Sequence, residues 1–100
     1  MFNLFKKQET VDYKKLIKEG AIIVDVRSAE EFSDGHIGGA LNIPLDVLLS
    51  HLSKIGDAKK PVITCCASGR RSSMAKDMLE KAGYKHVYNG GGWRTLKSKL

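Results

Sequence analysis

Hydrophobic positions along the 100-residue chain alternate between short runs and helically spaced stripes. The runs predict strands at 21–26, 41–44, 62–65 and 86–88. Stripes at spacings of three and four residues predict helices between them, with apolar faces formed by Tyr13, Leu16, Ile17, Leu45, Leu48, Leu49, Leu52, Ile55, Met74, Ala75, Met78, Leu79 and Ala82. A further helix is predicted over 93–100. Strands that alternate with helices are typical of a parallel sheet covered on both faces.

Polar residues and glycines mark the ends of these elements. Thr10 or Asp12 is placed to cap the first helix, and Ser28 followed by Glu31 has the spacing of a capping box. The glycine run at 90–92 predicts a tight backbone turn before the last helix. No internal repeat or linker interrupts the pattern, so we predict one domain over residues 1–100, with residues 1–9 as a short, flexible lead.

The composition and charge of the chain argue against nucleic-acid binding and against a membrane protein. The formal net charge of +6 favours anionic partners, but the basic residues are scattered and no aromatic-flanked basic cluster marks a nucleic-acid reader. No apolar run is long enough for a membrane span, and the apolar stretch within residues 1–8 is too short for a signal peptide. We therefore expect a cytoplasmic protein that binds neither nucleic acid nor membranes.

Two adjacent cysteines, Cys65 and Cys66, end the third predicted strand. Adjacent cysteines form a strained disulfide, so a reduced compartment and a chemical role for a thiol are the better interpretation. Reactive groups of parallel sheets gather where a strand ends and a helix begins. There the free N–H groups of the helix, together with the charges of Arg70 and Arg71, favour the thiolate over the thiol.

The residues around this position resemble a known family. The run "CASGRRS" at 66–72 resembles the C-x-x-G-x-R-S active-site loop of rhodanese-like, single-domain sulfurtransferases. The stretch "DVRSAEEFSDGHIGGALNIP" at 25–44 is similar to another motif of that family, and "AGYKHVYNGGG" at 82–92 extends the resemblance. It implies a rhodanese-like α/β fold, with a central, mostly parallel five-stranded sheet and helices on both faces.

The resemblance also implies a reaction and its residues. Cys66 would take a sulfane sulfur from thiosulfate or a related small anionic donor as a persulfide. It would then pass the sulfur to a thiol, cyanide or protein acceptor, with no cofactor and no metal. The substrate-binding loop would consist of Ala67, Ser68, Gly69, Arg70 and Arg71, in which Arg71 closes the loop and Arg70 faces the donor. The supporting residues would be Asp25, Arg27 and Ser72, with a structural ion pair favoured for the first two.

Other readings remain open at this point. Counted from Cys65, the loop also fits the C-x5-R-[ST] pattern of cysteine-dependent phosphatases and some arsenate reductases, although Thr64 replaces their usual histidine. A non-catalytic rhodanese-like sulfur-carrier or binding module is another alternative, since a fold does not prove an activity. Strand alternation favours Cys65 as a packed core residue over a resolving thiol. His36 follows a turn, which favours a hydrogen-bonded structural role over that of a general base.

Overall fold

A computed structural model describes residues 10–100, so the predicted lead at 1–9 lies outside the described residues. The helices are α1 (Tyr13–Lys18), α2 (Ala29–Ser33), α3 (Arg70–Lys81) and α4 (Trp93–Ser98), with a 3-10 helical segment at Leu45–Lys54. The strands are β1 (Ile22–Asp25), β2 (Leu41–Asn42), β3 (Val62–Cys66) and β4 (Val87–Gly92). Asp12 caps α1, and the predicted capping box of Ser28 and Glu31 begins α2.

The four strands form one parallel sheet in the order β2-β1-β3-β4. The α/β fold with helices on both faces is confirmed, but the described residues contain four strands rather than five. Each of the four corresponds to one of the runs found in the sequence. The fifth strand was implied by the family resemblance alone, and no run in 10–100 corresponds to it.

Alternation along β3 divides the core into two clusters, one on each face of the sheet. The α3-side core contains Val24, Val26, Ile43, Leu48, Ile55, Val62, Cys66, Ala75, Leu79, Tyr84 and Val87. The α4-side core contains Tyr13, Ile23, Ile37, Ile63, Cys65, Trp93 and Leu96. Successive side chains of a strand point to opposite faces, so the adjacent cysteines belong to different cores.

Two predictions about the apolar faces of helices are wrong. The segment at 45–54 is a 3-10 helix with a non-helical residue at His51, so it does not keep the predicted α-helical face. In a 3-10 helix residues three apart share a face, and Leu49 is accordingly exposed while Leu48 is buried. Met74 of α3 is also exposed, because Ala75 and Leu79 provide the buried face of that helix.

The glycine run at 90–92 is not a separate turn, because β4 continues through it to Gly92. The pairing of β3 with β4 shifts register between Thr64 and Cys66, and Gly91 has a positive φ of 79° there. A Cβ atom on Gly90 would lie 2.9 Å from the carbonyl oxygen of Thr64. The glycines therefore allow β4 to lie against β3 and the loop that follows it.

None of the helices between residues 10 and 100 is long and apolar enough to cross a membrane.

Candidate active site at the end of strand β3

The loop at 67–69 joins β3 to α3 and surrounds the sulfur of Cys66. Gly69 precedes the first residue of α3 and has a φ of 103°, which a side chain would strain. This turn directs the Gly69 N–H to Cys66 Sγ at 3.0 Å, and the Ser72 N–H reaches the same sulfur at 3.3 Å. The Ser72 hydroxyl oxygen lies 3.5 Å from Sγ. The start of α3 thus presents several donors to one buried sulfur atom.

Burial and hydrogen bonding act in opposite directions on the pKa of Cys66. The residue is 1% exposed, and burial by itself raises the pKa of the thiol. Hydrogen bonds from the hydroxyl and N–H of Ser72, and from the N–H groups of Gly69 and Ser68, stabilise the thiolate and outweigh burial. The pKa of Cys66 is therefore below its ordinary value. The direction and the backbone N–H donors are those expected from the sequence, and the Ser72 hydroxyl adds to them.

Cys65 has the opposite environment. It is 0% exposed within the α4-side core, and both cysteines are free thiols. Burial, reinforced by the negative charge of Asp25, raises the pKa of Cys65 to about 12 despite the nearby Arg27. A buried thiol that stays protonated at neutral pH is a poor nucleophile.

Ser72 connects the loop to β4. Its hydroxyl lies 3.0 Å from the carbonyl oxygen of Gly69 and 2.6 Å from Oδ1 of Asn89. The N–H of Gly91 donates to the same Oδ1 at 2.9 Å. Thr64 lies on the same face of β3 as Cys66, and its hydroxyl donates to the carbonyl oxygen of Ser72 at 2.8 Å. The start of α3 is therefore tied to both β3 and β4.

The two arginines of the loop differ in their surroundings. Arg71 forms a bidentate ion pair with Glu31, with N–O distances of 2.8 and 3.0 Å, which ties α3 to α2. The hydrogen bond with Arg71 is the largest cause that lowers the pKa of Glu31 to about 2. Arg70 is exposed, as are Ala67 and Ser68. Arg71 thus anchors the start of α3 through Glu31, while Arg70 is accessible to a dissolved anion.

Asp25 and Arg27 form a buried ion pair at the end of β1. Arg27 donates to both carboxylate oxygens at 2.8 to 3.1 Å and to the carbonyl oxygen of Gly35 at 2.8 Å. Its guanidinium also lies 4.8 Å from the centre of the Trp93 ring. These contacts satisfy the buried charge with neighbours from α2 and α4, which is the structural arrangement favoured from the sequence.

Two residues of the site were missed by the sequence analysis. Asn89 was not singled out, although its polar side chain interrupts the apolar pattern just before the glycine run. Gly92 was assigned to a turn, yet a Cβ atom there would lie 2.8 Å from the carbonyl oxygen of Ala67. Neither contact has a local sequence signal, because both join segments about 20 residues apart.

His36 packs against the end of α2. His36 Nδ1 lies 2.8 Å from the carbonyl oxygen of Phe32, and its ring stacks on the Phe32 ring. His36 is therefore held within its turn. Between residues 10 and 100, no group of three or more histidine, cysteine, aspartate or glutamate side chains is arranged to hold a metal ion.

Comparisons with known proteins identify the family of the chain. A sequence profile of the rhodanese-like domain matches residues 9–99. The chain is 36% identical to thiosulfate sulfurtransferase PspE of Escherichia coli over 74 residues, which cover 73% of this chain and 71% of that protein. It is 32% identical to thiosulfate sulfurtransferase GlpE of Pseudomonas fluorescens over 95 residues, which cover 91% and 86% of the two chains.

A solved structure described as an E. coli rhodanese with anions superposes with a TM-score of 0.72 at 35% identity. The match covers 76% of this chain and 91% of that one. The superposition agrees with the α/β fold described above, and the profile and the relatives show that the chain belongs to the rhodanese-like domain family.

Proposed function

We propose that the chain is a sulfurtransferase that carries a sulfane sulfur on Cys66 as a persulfide. The Cys66 thiolate attacks the outer sulfur of thiosulfate, the S–S bond of the donor breaks, and sulfite leaves with the electron pair of that bond. A nucleophilic acceptor, such as cyanide, then takes the outer sulfur and returns the thiolate. Two backbone N–H groups donate hydrogen bonds to the Cys66 sulfur at 3.0 and 3.3 Å and stabilise its thiolate. This observation carries the proposal.

The surroundings of Cys66 suit an anionic donor. The loop residues Ala67 and Ser68 are exposed, and Arg70 adds an exposed positive charge beside them. Backbone N–H groups that converge at the start of a helix stabilise negative charge on the persulfide and on the donor. The similar E. coli rhodanese is described with anions, which supports this part of the proposal.

The acceptor is a thiol, cyanide or a protein. The relatives PspE and GlpE are named thiosulfate sulfurtransferases, which supports thiosulfate as a donor for this chain. The transfer uses the sulfur carried by Cys66 and requires no cofactor. Two free, adjacent cysteines fit a reducing compartment, and we place the protein in the cytoplasm.

The position of Cys65 argues against an oxyanion enzyme that uses it as nucleophile. The donors at the start of α3 point to Cys66, whereas Cys65 packs on the opposite face, where the pKa of its thiol is raised to about 12. A loop counted from Cys65 would therefore lack an ionised sulfur at its centre.

Intact-mass measurement after incubation with thiosulfate tests the proposal. We expect one added sulfur atom on the wild type and on Cys65→Ser, and none on Cys66→Ser. Cys65→Ser is the matched control because it makes the same substitution at the neighbouring position. Its buried hydroxyl costs on the order of 1–3 kcal/mol of stability if it is left unpaired, so loading is measured well below its unfolding temperature. Loading that persists in Cys66→Ser and disappears in Cys65→Ser contradicts the proposal.

A further inference from the structure

The Ser72 hydroxyl has one proton and three neighbours that attract it. Its oxygen lies 2.6 Å from Asn89 Oδ1, 3.0 Å from the carbonyl oxygen of Gly69 and 3.5 Å from Cys66 Sγ. The shortest of these contacts is the one to Asn89. A hydroxyl that donates to Asn89 turns an oxygen lone pair, rather than its proton, towards the sulfur.

The orientation of the Asn89 amide is defined by its other contacts. The N–H of Gly91 donates to Oδ1 at 2.9 Å, so this atom is an acceptor. The other atom of the amide, Nδ2, lies 3.5 Å from the carbonyl oxygen of Gly69, which suits a donor. The oxygen therefore faces Ser72, and it competes with Cys66 for the hydroxyl proton.

We propose that Asn89 is a positioning residue that holds the Ser72 proton away from Cys66 and so limits how readily the cysteine ionises. This inference rests on the proposed function of Cys66. When the thiol gives its proton to solvent, the Ser72 hydroxyl rotates from Asn89 to the thiolate, and Asn89 keeps the Gly91 N–H as its partner. Asn89 thus opposes the rotation that stabilises the thiolate.

The charged groups around Cys66 have partners other than Asn89. Arg71 lies on α3 with its charge paired to Glu31 of α2, and Asp25 and Arg27 form their own buried pair at the end of β1. Cys65, the neighbour on β3, stays protonated at neutral pH. A change in the titration of Cys66 in an Asn89 variant therefore reports on Ser72 and the loop.

Alkylation of Cys66 by iodoacetamide as a function of pH tests the inference. Asn89→Ala removes the closer of the two oxygens that compete with the Cys66 sulfur for the Ser72 proton, so the pKa of Cys66 should fall. The alkylation rate at a pH below the midpoint should rise roughly two- to fivefold. Asn89→Asp keeps an acceptor oxygen and should show no such fall. In a Ser72→Ala background, Asn89→Ala should produce no downward shift.

The direction of the shift separates this role from a purely structural one. If Asn89 only supports the loop, Asn89→Ala takes N–H groups away from the sulfur and the pKa of Cys66 rises. A rise, no change, or an equal fall in the Ser72→Ala background overturns the inference. Sulfur loading of the wild-type protein by thiosulfate is measured beside the alkylation. Failure of loading contradicts the proposed function. The shift in the alkylation midpoint does not depend on sulfur loading, so it tests the role of Asn89 separately.

Discussion

The two adjacent cysteines of β3 have the same covalent structure and opposite surroundings. Cys66 lies at the start of α3, where N–H groups and a hydroxyl converge on its sulfur and lower its pKa. Cys65 lies on the other face among apolar side chains, where burial raises its pKa to about 12. Both are almost completely buried, so exposure does not distinguish them.

This difference shows that hydrogen-bond donors can lower the pKa of a thiol that is as inaccessible to solvent as its neighbour. A buried thiolate without donors loses its hydration and gains nothing in return, so the proton stays on the sulfur. At Cys66, several well-placed donors take the place of the lost water and stabilise the thiolate. One step along a strand is enough to exchange the two environments, because the side chains of a strand alternate between its faces.

The largest expected effect is the contrast in reactivity between the cysteines. A pKa of about 12 for Cys65, against one below the ordinary value for Cys66, makes the thiolate far more abundant on Cys66 than on Cys65 at pH 7. Iodoacetamide should therefore modify Cys66 of the folded protein, at a rate that rises with pH to a midpoint below that of a free cysteine. Peptide mass mapping should find Cys65 modified only after denaturation. Equal labelling of the folded protein would remove the contrast.

A smaller effect is expected when the ion pair between Arg71 of α3 and Glu31 of α2 is broken. Arg71→Ala breaks the bidentate pair with Glu31 and should lower thiocyanate formation from thiosulfate and cyanide by at least about tenfold. Arg71→Lys should restore little, because a single ammonium cannot reproduce the planar, two-pronged contact.

Lys76→Ala is the matched control, since it breaks an exposed ion pair with Glu80 farther along the same helix. Such a pair contributes only about 0.5 kcal/mol, and turnover should hardly change. Full activity in Arg71→Lys would show that the loop does not depend on this geometry.

The smallest effect is expected from substitution of Gly92, the glycine of β4 that lies against the loop at 67–69. The Cβ atom of Gly92→Ala would lie 2.8 Å from the carbonyl oxygen of Ala67, so the loop must shift. We expect a loss of stability of about 1–3 kcal/mol and a severalfold fall in the rate of sulfur loading, because the N–H groups move away from Cys66.

Gly38→Ala serves as the comparison variant, because a Cβ atom there meets nothing within 4 Å. Thermal unfolding and the rate of mass increase with thiosulfate measure both quantities. If Gly92→Ala matches Gly38→Ala in loading, then β4 does not control the loop that surrounds Cys66.

The pattern of the sequence determined the fold class and the position of the site. The four runs became the four strands, the capping box of Ser28 and Glu31 began α2, and the family resemblance is confirmed by the comparisons. These features are local or repeat along one segment, so periodicity and cap chemistry are sufficient to read them. The placement of the two cysteines on opposite faces also follows from strand alternation alone.

Contacts between distant segments could be decided only by the tertiary structure. The partner of Arg71 is Glu31, 40 positions away, and the partner of the Ser72 hydroxyl is Asn89, 17 positions away. The glycine run at 90–92 looks like a turn in isolation, but it became part of β4 because the loop after β3 needs the space that its missing side chains leave. The N–H donors to the Cys66 sulfur come from the adjacent loop and could be predicted locally, whereas the contact of Ser72 with Asn89 depends on how α3 packs against β4, which no local pattern of residues records.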